Sequence, residues 1–308
     1  MANETIFKRY EGNPIVTAKN VPCANSIHNS AIISYNDAYI GIFRVDGKDM
    51  NYRLHVGRSD NGIDWDIEAD PLIMKNDIPE VYVSDYSYDP RITEIDGTFY
   101  ITWCNASSQG PCIGLATTKD FITFEQHENP FPPANRNCVI FPRKINGKFA
   151  ALHRPSDGGH TPFGDIFYAT STDLTHWGCH RFVFGPSNVS NWQSTKVGAG
   201  PVPIETPEGW LLIYHGVWTS CNGYLYYAGG ALLDLEEPWK VLYRTRDYLL
   251  GPTETYERVG DVPNVIFPSA AVILDDTVRI YYGCADTCVS IADANINELI
   301  NFIKSHSL

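Results

Sequence analysis

A turn pair followed by an aromatic or apolar run recurs five times along the 308 residues, and no other feature restricts the fold as tightly. The copies are Asn36-Asp37 before Ala38-Tyr39-Ile40, Asp96-Gly97 before Thr98-Phe99-Tyr100, Asn146-Gly147 before Lys148-Phe149-Ala150, Glu208-Gly209 before Trp210-Leu211-Leu212, and Asp275-Asp276 before Thr277-Val278-Arg279. Asp-Gly and Asn-Gly between apolar runs mark tight hairpins, because the favoured turn needs positive φ at its centre. A short strand precedes each copy: Ala31-Ile32-Ile33, Arg91-Ile92-Thr93, Val139-Ile140-Phe141, Pro201-Val202-Pro203 and Ala270-Ala271-Val272. A second hairpin signal follows in four copies, with an Asp shortly before an aromatic: Asp60 to Trp65, Asp120 to Phe124, Asp173 to Trp177 and Asp234 to Trp239. The fifth copy is degenerate around Ile291-Ala292-Asp293. One unit is thus four strands over ~40 to 65 residues, and five units without a helical period predict a five-bladed β-propeller. Residues 1–308 are expected to form one such all-β domain, with two packed sandwiches as the alternative. Segments Gly12 to Val21 and Asp247 to Glu257 read as loops or blade-closing strands. The tail carries Ile296, Leu299, Ile300 and Ile303 at helical spacing behind the N-cap candidate Asn295, which predicts a short C-terminal helix.

Net charge narrows the partners. A formal charge of −13 argues against nucleic acid, whose phosphates need clustered Lys and Arg. No apolar run is long enough to span a membrane, and Met1-Ala2-Asn3-Glu4-Thr5 has no leader pattern. The eight Cys form no CxxC pair and read as mostly buried thiols of a cytoplasmic protein, with no metal site.

In a propeller the innermost strands line the central channel, and their entrances face one another. Here the entrances are read as Asn29-Ser30, Tyr88-Asp89-Pro90-Arg91, Phe141-Pro142-Arg143, Gly198-Ala199-Gly200-Pro201 and Phe267-Pro268-Ser269. The strands after the turns are expected to end near the same mouth, at Arg44, Asn105, Arg154, His215 and Asp286. In so acidic a chain, Arg136, Arg154, Lys196 and His215 at equivalent places suggest a cationic pocket, since Arg offers paired donors and Lys a point charge to a phosphate. Each alone has the plainer reading of a surface ion pair. Gly198 and Gly200 beside Lys196 read as a place where backbone approaches an anion.

Asp89 is the best acid by position. The following proline is expected to hold it rigidly in an extended conformation, although Asp-Pro also starts ordinary turns. A hydrolase that inverts its sugar needs a second carboxylate as base. None stands at an equivalent entrance, and Asp261 and Asp286 are the candidates. Without a base, phosphate itself can serve as the nucleophile.

Asn25-Ser26-Ile27-His28-Asn29-Ser30, Tyr88-Asp89-Pro90-Arg91, Phe141-Pro142-Arg143-Lys144-Ile145-Asn146-Gly147, Arg154-Pro155-Ser156-Asp157, His160 to Tyr168 and Gly260-Asp261-Val262-Pro263-Asn264-Val265 together resemble glycoside hydrolase family 130, the β-mannoside phosphorylases. The likeness runs from Gly12 to Thr287 and lies nearest the β-1,4-mannosyl phosphorylases. The resemblance implies a five-bladed propeller and a reversible, inverting phosphorolysis that gives α-mannose 1-phosphate. It implies that Asp89 is the lone catalytic carboxylate, protonating the glycosidic oxygen through the 3-hydroxyl of the mannose. It places phosphate at Arg136, Arg154, Lys196 and His215, and mannose at Asn29, Ser30, Arg44, Tyr88 and Asp286. No cofactor is implied; inorganic phosphate is a co-substrate, a β-mannoside oligosaccharide is the partner, and a homo-oligomer is open. His28 and His153 depart from the family and are expected to tune the acceptor side, with loops Asn76 to Tyr86 and Ser187 to Gln193. A water-using β-mannosidase and a non-catalytic sugar-binding propeller remain as alternatives.

Overall fold

In the computed structural model, which describes residues 5–76, 86–107, 110–156, 164–221 and 223–308, the repeat becomes five antiparallel blades. The first is built from Ala24–Tyr35, Ala38–Gly47, Tyr52–Ser59 and Asp66–Ile67. The second is Ser87–Ile95, Thr98–Ser107, Gly110–Thr118 and Phe124–Gln126, with Met74–Lys75 added in parallel at its edge. The third is Asn135–Ile140, Phe149–Pro155, Ile166–Ser171 and Trp177–Phe184. The fourth is Lys196–Ala199, Gly209–Ser220, Gly223–Leu233 and Val241–Arg244, and the fifth is Ile266–Leu274, Thr277–Cys284 and Cys288–Asn295. Contacts between neighbouring inner strands close the ring, fifth against first. The chain is therefore the five-bladed all-β propeller that the repeat predicts.

The turns have the chemistry expected of them. Both central residues of Asn36-Asp37, Asp96-Gly97 and Asn146-Gly147 have positive φ. At the second hairpin signal, the hydroxyls of Ser59, Thr118 and Ser171 accept the N–H of Gly62, Phe121 and Leu174. Between blades the inward faces bury apolar layers, such as Ile42, Ile101, Trp103 and Phe121 between the first and second. Burial of each such side chain contributes roughly 1.5–3 kcal/mol.

Two details differ from expectation. Pro201-Val202-Pro203 is not a strand: the fourth blade's inner edge breaks there, between Lys196–Ala199 and Ile204–Thr206, because proline has no N–H for the ladder. Gly12 to Val21 takes the loop alternative and touches Cys288–Asn295 through a bridge from Val16 to Val289, while the fifth blade's outer strand is Lys8–Arg9, which pairs with that same strand. Arg9 anchors Lys8–Arg9 through a paired contact to the buried Glu257, at 2.7 and 2.9 Å. Glu257 lies in a one-turn helix, Thr255–Arg258, where a loop or blade-closing strand is expected. The C-terminal helix Ile296–Ser305 is as predicted, with Asn295 Oδ1 accepting the N–H of Asn297 and Glu298. Its apolar stripe, Leu299, Ile300 and Ile303, is buried against the last two blades.

Candidate active site

Three inner strands lose register at the same level. The shifts fall between His28 and Ala31, Tyr88 and Arg91, and Arg136 and Val139. At each, two residues face one on the partner strand, which is a β-bulge and re-aims a side chain. The residues that enter these bulges are Asn29, Asp89 and Asn137, with φ of 48°, 51° and 53°. Short polar side chains tolerate this left-handed conformation best. Asp89 thus does not sit extended at a strand mouth; it occupies a left-handed bulge inside Ser87–Ile95. The carbonyl contacts that hold the bulge outweigh the preference that proline imposes on its predecessor.

The bulges point into a cavity of about 320 Å³ at one mouth of the channel, lined by Asn29, Arg44, Tyr88, Asp89, Arg136, Asn137, Arg154, Lys196, His215, Tyr226, Val265, Phe267 and Asp286. Every site residue expected from the sequence is there except Ser30. Ser30 is fully buried behind the wall, its hydroxyl donating to the His28 carbonyl and its own carbonyl accepting from Ser269. Being the second residue of the bulge, it points away from the residue before it.

One wall comes from the first, second and fifth blades. Asn29 Nδ2 and Arg44 Nη1 both donate to Asp89 Oδ1 at 2.9 Å. Arg44 also grips Asp46 with two bonds, at 2.8 and 2.9 Å, and lies between the rings of Tyr52 and Tyr88. Asp286 sits in the left-handed turn after Thr277–Cys284. Burial lifts its carboxyl to about 6, and Asp89 and Asp46 add to the rise against the pull of Arg44. Asp261 is an exposed residue that accepts from Asn25 outside the cavity, so of the two candidate bases only Asp286 lines the site.

The facing wall comes from the third and fourth blades. Arg136 and Arg154 are cross-strand partners, and Gly198 lies opposite His215. A Cβ on Gly198 would fall 2.5 Å from the His215 ring and 2.8 Å from Arg154 Nη1. The glycine therefore admits these two side chains, which is a different use from the backbone approach to an anion that its position suggested. Arg154 Nη1 donates to His215 Nε2 at 2.9 Å. His215 is consequently a neutral imidazole with its proton on Nδ1; burial first, then the charges of Arg154, Lys196 and Arg91, hold its pKa well below normal. The four-cation pocket becomes three cations and one neutral ring. Burial and the two arginines also bring Lys196 down to about 8, and its Nζ lies over Tyr224 and Tyr226 at 4.6 and 5.3 Å. Arg136 reaches only neutral groups, the Tyr88 hydroxyl and Ser156. Among the described residues no carboxylate pairs with Arg136, Arg154 or Lys196. Arg154 Nε and Asn137 Oδ1 are buried without a partner.

Asn137, Tyr226 and Phe267 went unpredicted as site residues. Asn137 was missed because the third blade's entrance was placed at Phe141-Pro142-Arg143, which is the opposite end of its inner strand. There Arg143 pairs with Glu205 and Glu236 beside a larger cavity of about 700 Å³. The short polar residue two before Val139, in step with Asn29 and Asp89, was the available signal. Asn105 also falls outside the site, in a cleft between the first two blades. His28 and His153 are both buried outside the cavity lining, His28 with Nε2 4.0 Å from Asp286 Oδ2 and His153 stacked on Phe131 at 4.0 Å. Most of the Asn76 to Tyr86 loop and the segment from Asp157 to Phe163 lie outside the described residues.

A family model described as beta-1,4-mannooligosaccharide phosphorylase matches residues 2–305. The beta-1,4-mannooligosaccharide phosphorylase of Ruminococcus albus is 52% identical over 98% of this chain and 92% of its own. The 4-O-beta-D-mannosyl-D-glucose phosphorylase of Bacteroides fragilis is 30% identical over 98% and 81%. Among solved structures, the beta-1,2-mannobiose phosphorylase of Listeria innocua in complex with beta-1,2-mannobiose superposes with a TM-score of 0.85 at 30% identity, over 97% of this chain and 99% of that one.

Proposed function

The chain belongs to glycoside hydrolase family 130, and from that premise we propose that it catalyses the reversible, inverting phosphorolysis of β-1,4-mannosidic bonds in mannooligosaccharides. The observation that carries this reading is the division of one cavity into a wall with a pinned carboxylate and a wall of buried and half-buried cations that meet no carboxylate among the described residues. The second wall is incomplete without an anion, and a dianion between two guanidinium groups and an ammonium makes charge-assisted bonds.

In the proposed roles, Asn29, Arg44, Tyr88 and Asp286 hold the mannose to be transferred, with Ser30 supporting them from behind. Arg136, Arg154 and Lys196 hold phosphate, with His215 orienting Arg154 and Asn137 beside it. Asp89 is the catalytic acid. Its Oδ1 is occupied by Asn29 and Arg44, which leaves Oδ2 as the oxygen for the proton. The proton passes to the glycosidic oxygen through the mannose 3-hydroxyl while the C1–O4 bond breaks. A phosphate oxygen forms the new bond to C1 from the opposite face, giving α-mannose 1-phosphate and a shortened acceptor. Phosphate replaces the water and base that an inverting hydrolase needs. Asp286, lifted to about 6, is still mostly ionised near neutral pH, and in the proposed role it accepts from sugar hydroxyls. The protein needs no cofactor in this scheme.

Among the described residues no helix is long and apolar enough to cross a membrane, and five of the eight Cys are buried; a cytoplasmic location is part of this reading. Product analysis on β-1,4-mannobiose tests the reaction. Sugar phosphate should form only when phosphate is supplied; mannose released equally fast without phosphate would refute the reading.

A further inference from the structure

Arg91 is the largest polar side chain enclosed in this molecule, 1% exposed, and no carboxylate pairs with it among the described residues. It lies two residues beyond Asp89, where the bulge ends and the ladder resumes at Thr102. A bulge leaves carbonyls without ladder partners, and in the channel core these would be buried and unsatisfied. Arg91 satisfies them. Its Nη1 donates to the Asp89 carbonyl at 3.3 Å and the Pro90 carbonyl at 2.8 Å, while Nε crosses the channel to the Gly200 carbonyl in the fourth blade at 2.5 Å. Gly200 can come this close because it has no side chain; a Cβ there would sit 2.7 Å from the Ile213 carbonyl. The guanidinium also lies over Phe267 at 5.7 Å, and Phe267 stacks on His215 at 4.6 Å.

We propose that Arg91 is a positioning residue for the reaction: it locks the left-handed bulge that presents Asp89 and fixes that acid against the phosphate wall across the channel. This rests on the phosphorolysis reading of the same site. A left-handed aspartate ahead of proline is a strained conformation and persists only when its surroundings hold it. Arg91 supplies the hold through three backbone carbonyls. Because one of them belongs to the blade that carries Lys196 and His215, the acid and the anion pocket keep one spacing.

The test separates proton delivery from folding. β-Mannosyl fluoride carries a leaving group that needs no protonation, whereas β-1,4-mannobiose does. In Arg91→Met, kcat/KM for mannobiose should fall about 100-fold while that for mannosyl fluoride changes less than about threefold, because only the acid has moved. The phosphate KM should stay near the wild-type value. Equal loss on both substrates, or unchanged turnover of mannobiose, overturns the proposal. If Arg91→Met is not recovered folded, Arg91→Lys decides by the same ratio, since an ammonium reaches fewer carbonyls. A wild type that releases mannose without phosphate would refute the reaction scheme, and the ratio, read on mannose release, would still judge the clamp.

Discussion

On the wall built by the first, second and fifth blades, Arg44 meets Asp46 through two bonds and Asp89 through a third. Across the cavity, Arg136, Arg154 and Lys196 face only hydroxyls, rings and a neutral histidine. Arg44 and Arg154 are buried and Arg136 and Lys196 half-buried, so the contrast lies chiefly in partners. A buried charge with its partner in place is tolerated, while a buried charge without one weakens the fold. The first wall therefore holds its geometry through its own ion pairs, and the second has its cations available for an anionic ligand. That asymmetry distinguishes a phosphorylase site from a hydrolase site more sharply than the count of carboxylates does.

The comparison can be broken most decisively at the acid. Asp89→Asn should lower kcat on mannobiose by about 10²- to 10⁴-fold with little change in phosphate affinity, as steady-state kinetics would show. Near wild-type turnover would remove Asp89 from the mechanism. The walls should next respond oppositely to loss of a cation. Arg44→Met strands Asp46 and Asp89, so it should lower stability by about 3–5 kcal/mol, whereas Arg154→Met removes an unpaired buried charge and should be neutral or stabilising by about 1–4 kcal/mol. Denaturant titration without phosphate measures both. The same Arg154→Met should raise the phosphate KM about 10- to 100-fold, the worth of a charge-assisted bond.

Lys196 gives a pH signature. Its pKa is brought down to about 8, so it loses its charge as pH rises through that value, well before an ordinary lysine. Phosphate KM should accordingly climb above pH 8, by about tenfold per unit where the charged form is required. In Lys196→Arg the guanidinium stays charged, and that limb should flatten. The smallest effect is expected at Asn137, whose buried Oδ1 has no partner in the empty site. Asn137→Ala should raise phosphate KM about fivefold, one neutral hydrogen bond's worth.

Much of this was readable in the chain. Turn pairs at 36–37, 96–97 and 146–147 set the blade count, because their positive φ leaves few other uses for those residues. Asp89, Arg136, Arg154, Lys196 and His215 were placed together by their equivalent positions in the repeat. What stayed hidden were features created by pairing. The bulges exist only in the register of one strand against the next, so the match of Asn137 to Asn29 and Asp89 gains its meaning from pairing. The neutral state of His215 depends on Arg154, 61 positions away in the chain. Arg91 read as one residue of a motif, and its role across the channel appeared only once Gly200 was seen opposite it.

The account's central claim is that the unpaired wall is a phosphate site, and the thermal or chemical unfolding of the sugar-free protein titrated with inorganic phosphate tests it most directly. Saturable stabilisation of about 2.7 kcal/mol is expected at a phosphate concentration 100 times Kd, kept in Asp89→Asn and cut to about 0.4–1.4 kcal/mol at the same concentration in Arg154→Met. An unfolding midpoint that phosphate does not move, or one that it moves equally in Arg154→Met, would contradict it.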